Sequence, residues 1–199
     1  MQTTKERILE AALTLFAERG RGGTSMRDIA EALGITKGAL YRHYEGKEAI
    51  FAAIIARMEA LDTAEAEAYE MPLGAPDTDA EEYRNAPLDR IRDYSMAQFR
   101  HWTEDSFSAR FRRLLTLEQY RDPKMARLYQ NYLAAGPTDY MAAIFRHVTD
   151  SDADAMQLAL DFYGPMFLLY SVYDGAEDKG AVSGLLDEHI RRFIARIRP

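Results

Sequence analysis

The feature that most limits this chain is its period. Apolar residues recur at helical spacing along almost all of its 199 residues, and strict period-two alternation never persists long enough to suggest a sheet. The sequence therefore predicts an all-α fold of about nine helices, and with 47% apolar residues it can bury a substantial core. The first helix is expected over roughly 4–19, where Thr3-Thr4-Lys5-Glu6 has the form of a capping box. Ile8, Ala12, Leu15 and Phe16 make its apolar face, ending at Gly20. After Arg21-Gly22-Gly23, Thr24 or Ser25 can cap a short helix that turns Met26, Ile29, Ala30 and Leu33 inward and stops at Gly34. Thr36 can cap a third short helix through Tyr44, and Gly46 can open a long fourth from Lys47 to about Tyr69.

Farther along, residues 71–87 carry three prolines and several acids and are expected to form a long exposed connection. Leu88, Ile91, Ser95, Phe99 and Trp102 then share a helical face, as do Phe107, Phe111, Leu114 and Leu115. Asp122-Pro123 looks like the start of a helix reaching about His147, with Gly136-Pro137 as a candidate kink. Two final helices are expected over about 152–174 and 179–197.

Charge and composition narrow the function classes. The formal net charge is −7, so any nucleic-acid surface must be a local patch, because the overall field repels phosphate. Residues 1–50 hold eight basic and seven acidic residues, the remainder seventeen against twenty-five, a mild asymmetry. The chain has no cysteine, and its polar N-terminus lacks the apolar run of a signal peptide. The stretch from Phe162 to Tyr173 is about half of what a bilayer needs. A cytoplasmic protein without a membrane partner is the expectation. Histidines 43, 101, 147 and 189 form no HExxH pair, and no nucleophile motif or phosphate-binding glycine loop occurs. Asp150-x-Asp152-x-Asp154 resembles the start of a calcium loop, but Ala155 stands where glycine is needed, so these read as acids at a helix N-terminus. No catalytic residue, metal or cofactor is expected.

The stretch "GITKGALYRHYEGKEAI", residues 34–50, supplies what a helix-turn-helix requires. Ala30 is small where two helices would cross, Gly34 permits a left-handed turn, and Ile29, Leu33, Ile35 and Leu40 provide a shared core. Lys37, Gly38 and Ala39 would occupy the first turn of the recognition helix. Small residues there allow close approach to base edges, and the glycine costs about 1 kcal/mol of helix propensity. An ordinary helical hairpin, with Gly34 a simple cap and Tyr41 and Tyr44 in the core, is the plain alternative.

Residues 4–52 as a block resemble the DNA-binding region of the tetracycline-repressor (TetR) family, in "KERILEAALTLFAERG", "TSMRDIAEALGITKGALYRHY" and "GKEAIFAAI". The resemblance implies that Arg27 contacts a base or phosphate and that Thr36, Lys37, Gly38 and Ala39 form the base-facing turn. Tyr41 and His43 match positions that hold phosphates or the thymine methyl, and Lys47 matches the phosphate lysine opening the fourth helix. Arg42 either reads a base or is a solvated arginine. Gly46 departs from the serine or asparagine cap frequent in the family. The implied partner is double-stranded DNA carrying an inverted-repeat operator.

Two domains are expected, a DNA-binding one over 1–47 and a ligand-sensing, dimerising one over 48–199. The helix around "AMQLALDFYGPMFLLYSVY" is apolar nearly all round, which means burial on two sides. One side would face its own core and the other a second subunit, with Tyr163, Phe167 and Tyr170 at the interface. Leu186, Ile190, Phe193 and Ile197 would complete a four-helix homodimer interface; the alternative is a central helix in a monomeric bundle. Phe99, Trp102, Phe111, Tyr120, Tyr129, Tyr132, Phe162 and Met166 are candidates for an effector pocket or for packed core. Glu118 and Asp161, if inward-facing, would favour a cationic or hydrogen-bonding small-molecule effector. The function expected is a sequence-specific transcriptional regulator, a repressor released from its operator by a small molecule. The rival is a helical carrier or enzyme with a vestigial DNA-binding region.

Overall fold

The computed structural model describes residues 2–73, 81, 88–146 and 151–197, and among these every regular element is a helix. The chain forms two compact units: Met1–Asp62 with Ser106–Arg127, and Thr63–Asp105 with Leu128–Pro199.

In the first unit, α1 (Thr4–Arg19) starts at a full capping box: the Thr3 hydroxyl accepts the Glu6 amide at 3.2 Å, and the Glu6 carboxylate accepts the Thr3 amide at 2.6 Å. It ends at Gly20, whose φ of +76° suits only glycine and whose amide donates to the Phe16 carbonyl. Ser25 rather than Thr24 caps α2 (Met26–Ala32), paired with Asp28 in a second capping box. Thr24 is buried instead, its hydroxyl donating to the carbonyls of Leu15 and Gly20. Gly34, at φ +66°, makes the turn into α3 (Lys37–Tyr41), where the Thr36 hydroxyl accepts the Ala39 amide at 3.1 Å. That helix is shorter than the expected one through Tyr44. Ile50, Phe51, Ile54 and Met58 of α4 (Lys47–Ala68) are fully buried.

The expected domain boundary at residue 47 is not where the packing divides the chain. The apolar face of α1 packs against α6 (Ser106–Glu118), which buries Phe107, Phe111, Leu114 and Leu115. A three-helix head has too little interior of its own, so it recruits this distant helix.

In the second unit, α5 (Leu88–Thr103), α9 (Asp152–Gly175) and α10 (Lys179–Ile197) pack together, and α8 (Ala135–Phe145) lies along α9. The single helix expected from 122 to 147 is two, α7 (Pro123–Leu133) and α8, separated at Ala134. Gly136-Pro137 belongs to the first turn of α8, so the pair starts a helix rather than kinking one. The carbonyl of Leu133, left over at the end of α7, accepts the buried Tyr163 hydroxyl at 2.9 Å. In α9, Pro165 lacks the amide that a helix interior uses, and the nearby Phe162 carbonyl is met by His189 Nε2 of α10 at 3.0 Å. Asp152 and Asp154 lie in the first turn of α9, capped by Ser151, as expected of acids at a helix N-terminus; Asp150 and His147 fall outside the described residues.

The connection expected to be exposed over 71–87 begins differently. Met71 and Pro72 are buried, and Tyr140 donates its hydroxyl to the Pro72 carbonyl at 3.0 Å. Apart from Leu73 and Glu81, which are exposed, the rest of that expectation falls outside the described residues.

Candidate nucleic-acid interface

The turn between α2 and α3 closes on backbone hydrogen bonds, with the Ile35 amide donating to the Ala30 carbonyl at 3.0 Å. Ile29, Ala30 and Leu40 are buried beneath it, while Leu33 and Ile35 are half-buried. With the core side of α3 so committed, Thr36, Lys37, Gly38, Tyr41, Arg42 and His43 are exposed, Ala39 is half-buried, and Arg27 of α2 is exposed. The Lys37 ammonium stands 5.6 Å from the centre of the Tyr41 ring, a cation–π pair that limits the wandering of both side chains. A Cβ on Gly38 would meet nothing within 4 Å, so the protein itself does not require glycine there. Burial pushes the phenol of Tyr44 up, while hydrogen bonds from the Ser25 hydroxyl and amide hold Asp28 below the usual carboxylate range.

Lys47 is positioned differently from its neighbours. It is half-buried, and its ammonium donates to the carbonyls of Arg21 at 2.6 Å and Thr24 at 2.8 Å, tying the α1–α2 loop to the first turn of α4. The side chain of Arg21 extends the same knot. One guanidinium nitrogen donates to both Glu48 oxygens, at 2.8 and 2.6 Å, the other to Asp122 at 2.8 Å, and the group lies 5.1 Å from the centre of the Phe51 ring. Arg110 and Arg57 likewise converge on Glu10. Sequence reasoning missed Arg21, Glu48 and Asp122 as partners, since Arg21 and Asp122 lie 101 residues apart and no local pattern joins them.

Asp122 also accepts the Lys124 amide at the start of α7; this bond first, and Arg21 next, hold its carboxyl below the usual range. A depressed pKa contributes stability above the unfolded-state value of about 3.9, which is lost as pH falls through the lower folded value. The urea midpoint of the wild-type chain should therefore drop as pH falls below about 4, and Asp122→Asn should lower the midpoint at pH 7 and show a shallower acid decline. Parallel declines for the two chains would contradict this.

The residues expected as effector-pocket wall or packed core are divided between the two units. Phe111, Glu118 and Tyr120 belong to the first unit, and Phe99, Trp102, Tyr129, Tyr132, Phe162 and Met166 to the second. Tyr120 is 89% exposed and lines nothing, because it lies in the turn just beyond the end of α6. Phe111 is fully buried in its unit. Phe99 stacks on Tyr170 at 5.4 Å, and Phe162 packs among Phe145, Phe193 and His189, which is core packing. Trp102 meets Tyr132 edge-on and donates its indole N–H to Gln98, Tyr129 is half-buried and Met166 is buried. Of the two carboxylates expected to matter if inward-facing, Asp161 is exposed and accepts from Arg196 at 3.0 Å, whereas Glu118 is buried.

The dimer-face expectation needs a similar correction. Tyr163, Tyr170, Leu186, Ile190 and Phe193 are buried inside their own unit, and Ile197 is half-buried. Phe167 is exposed at 41%, Leu160, Leu168 and Val172 of α9 are exposed as well, and so, at 62%, is Leu185 of α10. No helix is long and apolar enough to cross a membrane, and no cluster of His, Asp and Glu that could hold a metal ion occurs, among the described residues.

A small α2–turn–α3 unit with a polar, open second helix, set at the N-terminus of an all-helical chain, defines a helix-turn-helix protein. Residues 8–54 match the family described as bacterial regulatory proteins, tetR family. It is 43% identical over 53 residues to the HTH-type transcriptional regulator AcrR of Shigella flexneri, covering 27% of this chain and 25% of that protein. It is 50% identical over 48 residues to the HTH-type transcriptional repressor KstR2 of Rhodococcus jostii, covering 24% of each. The chain thus matches only about a quarter of the length of these curated relatives. Among solved structures, a transcriptional regulator of Aquifex aeolicus superposes with a TM-score of 0.68 at 19% identity, covering 96% of this chain and 99% of that one. The SmeT–triclosan complex gives 0.62 at 21% identity, covering 96% and 91%. These two likenesses establish the shared all-helical fold.

Proposed function

We propose that the chain is a sequence-specific DNA-binding transcriptional regulator, a repressor that binds an inverted-repeat operator as a homodimer in the cytoplasm and is released by a small-molecule effector. The observation that carries this reading is the exposed run of Thr36, Lys37, Gly38, Tyr41, Arg42 and His43 on a helix whose opposite side is anchored by buried Leu40. Arg27 and Ala39 extend that surface, and Lys47 braces the loop behind it while its helix N-terminus faces phosphate. Dimerisation is supported by the exposed large apolar side chains Leu160, Phe167, Leu168 and Val172 of α9 and Leu185 of α10. An effector is supported by likeness to SmeT, whose structure holds triclosan.

Selection of bound duplexes from a randomised DNA pool tests the reading. An enriched inverted repeat that is lost in Tyr41→Ala supports it, and absence of enrichment at any salt refutes it. Gly38→Ala separates folding from DNA contact. With open space around the Cβ, this change should stabilise the fold by up to about 1 kcal/mol through helix propensity. Operator affinity should nevertheless fall at least tenfold, because the new methyl stands where the backbone approaches the groove. Equal affinity for both chains would show that Gly38 does not face the bases.

A further inference from the structure

Charge in this chain is divided between the two units, and the positive part is not supplied by the helix-turn-helix. The first unit holds fifteen Lys and Arg against eleven Asp and Glu, the second ten against twenty-one. Within the first, residues 1–62 are balanced at nine of each, so the whole excess comes from residues 106–127, with six basic residues against two acids. Both acids are withdrawn from the surface or already engaged: Glu118 is buried, with one oxygen 3.8 Å from Arg121, and Asp122 holds Arg21. Of the six cations, Arg110 is tied to Glu10 and Arg112 is buried. Arg113, Arg121, Lys124 and Arg127 are exposed, and Tyr120, 89% exposed, stands between them in sequence.

This cationic turn between α6 and α7 is fastened to the elements that carry the candidate DNA contacts. Arg21 bridges Asp122 to Glu48 in the first turn of α4, and the Lys124 ammonium lies 5.8 Å from the centre of the Phe51 ring. Phe51 is one helical turn from Lys47, about 6 Å along the axis. A phosphate backbone running past the start of α4 therefore comes close to this patch. Arginine, lysine and tyrosine hydroxyls are the side chains that hold phosphate oxygens, and they do so without reading sequence.

We infer that Arg121, Lys124 and Arg127, with Tyr120, form a second DNA-backbone surface that holds phosphates flanking the bases read by α3. The inference rests on the DNA-binding reading above. It explains how a chain of net charge −7 approaches a polyanion: the unit that meets DNA is made positive by a segment far away in sequence.

The test is the salt dependence of binding by the full-length chain to its selected operator, between about 50 and 200 mM salt. Removing one cation that neutralises a phosphate makes the slope of log K against log salt shallower by about 0.9. With two copies of the patch in the bound homodimer, Arg121→Gln/Lys124→Gln/Arg127→Gln should thus make the slope shallower by about 5.4, with the same preferred sequence. Lys124→Gln alone should make it shallower by about 1.8, which keeps the test decisive if the triple variant folds poorly. Arg100→Gln, an exposed cation of the second unit, controls for net charge and should leave the slope unchanged. Trimming the operator flanks should erase the difference between wild type and variant. A patch variant with the wild-type slope, or one shifted no more than Arg100→Gln, overturns the inference while leaving the DNA reading intact; the patch would then face another partner, such as an acidic protein. A wild-type chain that binds no duplex overturns both.

Discussion

Leu168→Glu should yield a folded monomer that has lost tight operator binding. Leu168 is 62% exposed on α9, one helical turn before the exposed Val172, so the substitution touches no core. Exposed positions of this kind change stability by about 0.5 kcal/mol or less. In the proposed homodimer, however, each new carboxylate would meet the partner's apolar surface, where burial of an unpaired charge is prohibitive. Linking two half-site interactions in one dimer raises affinity by about 10² to 10⁴, and that factor is what the monomer should lose. Sedimentation velocity and operator titration read the two effects together. Leu186→Glu makes a contrast, because Leu186 is fully buried and its replacement should unfold the chain instead. A Leu168→Glu protein that still sediments as a dimer would place the interface elsewhere.

Gly136→Ala should destabilise the chain by about 3 kcal/mol, the upper end of what overpacking costs, and lower the thermal midpoint by about 6–12 °C. Helix propensity alone predicts the opposite sign, since alanine in the first turn of α8 gains up to about 1 kcal/mol over glycine. The reversal comes from the junction. The chain leaves α7 through Ala134 at φ −129° and ψ −94°, and a Cβ on Gly136 would collide with the backbone carbonyl of Asn131. A carbonyl fixed in the last turn of a helix cannot step aside as a flexible side chain would. Urea unfolding of the two chains measures the difference; an unchanged or raised midpoint would show that α7 and α8 are not joined in this way.

The sequence legibly marks every feature that depends on a few adjacent residues. Thr3 with Glu6, the turn at Gly34 and the cap at Thr36 are chemistry confined to four or five positions, and they stand where local pattern places them. Ser25 beside Thr24 was open because both hydroxyls can cap, and burial of Thr24 against the carbonyls of Leu15 and Gly20 decides between them. The candidate α3 surface was legible too, since a five-residue helix with one buried leucine has little choice about which side faces out.

Other features have no local signature. The periodicity of α9 marks it as apolar nearly all round but not which side its own unit takes, so Tyr163 and Tyr170 lie inside while Leu168 stays open. The aromatics of α5 and α9 look alike as core or as pocket wall until Phe99 is seen stacked on Tyr170. By itself, then, the sequence determined the helices, their caps and the helix-turn-helix, because hydrogen bonding and steric preference act over one or two turns. Only the tertiary structure decided that Arg21 binds Asp122 and that residues 106–127 join the head and make it positive. Charge and burial depend on which distant segments share a surface, and that is settled by packing.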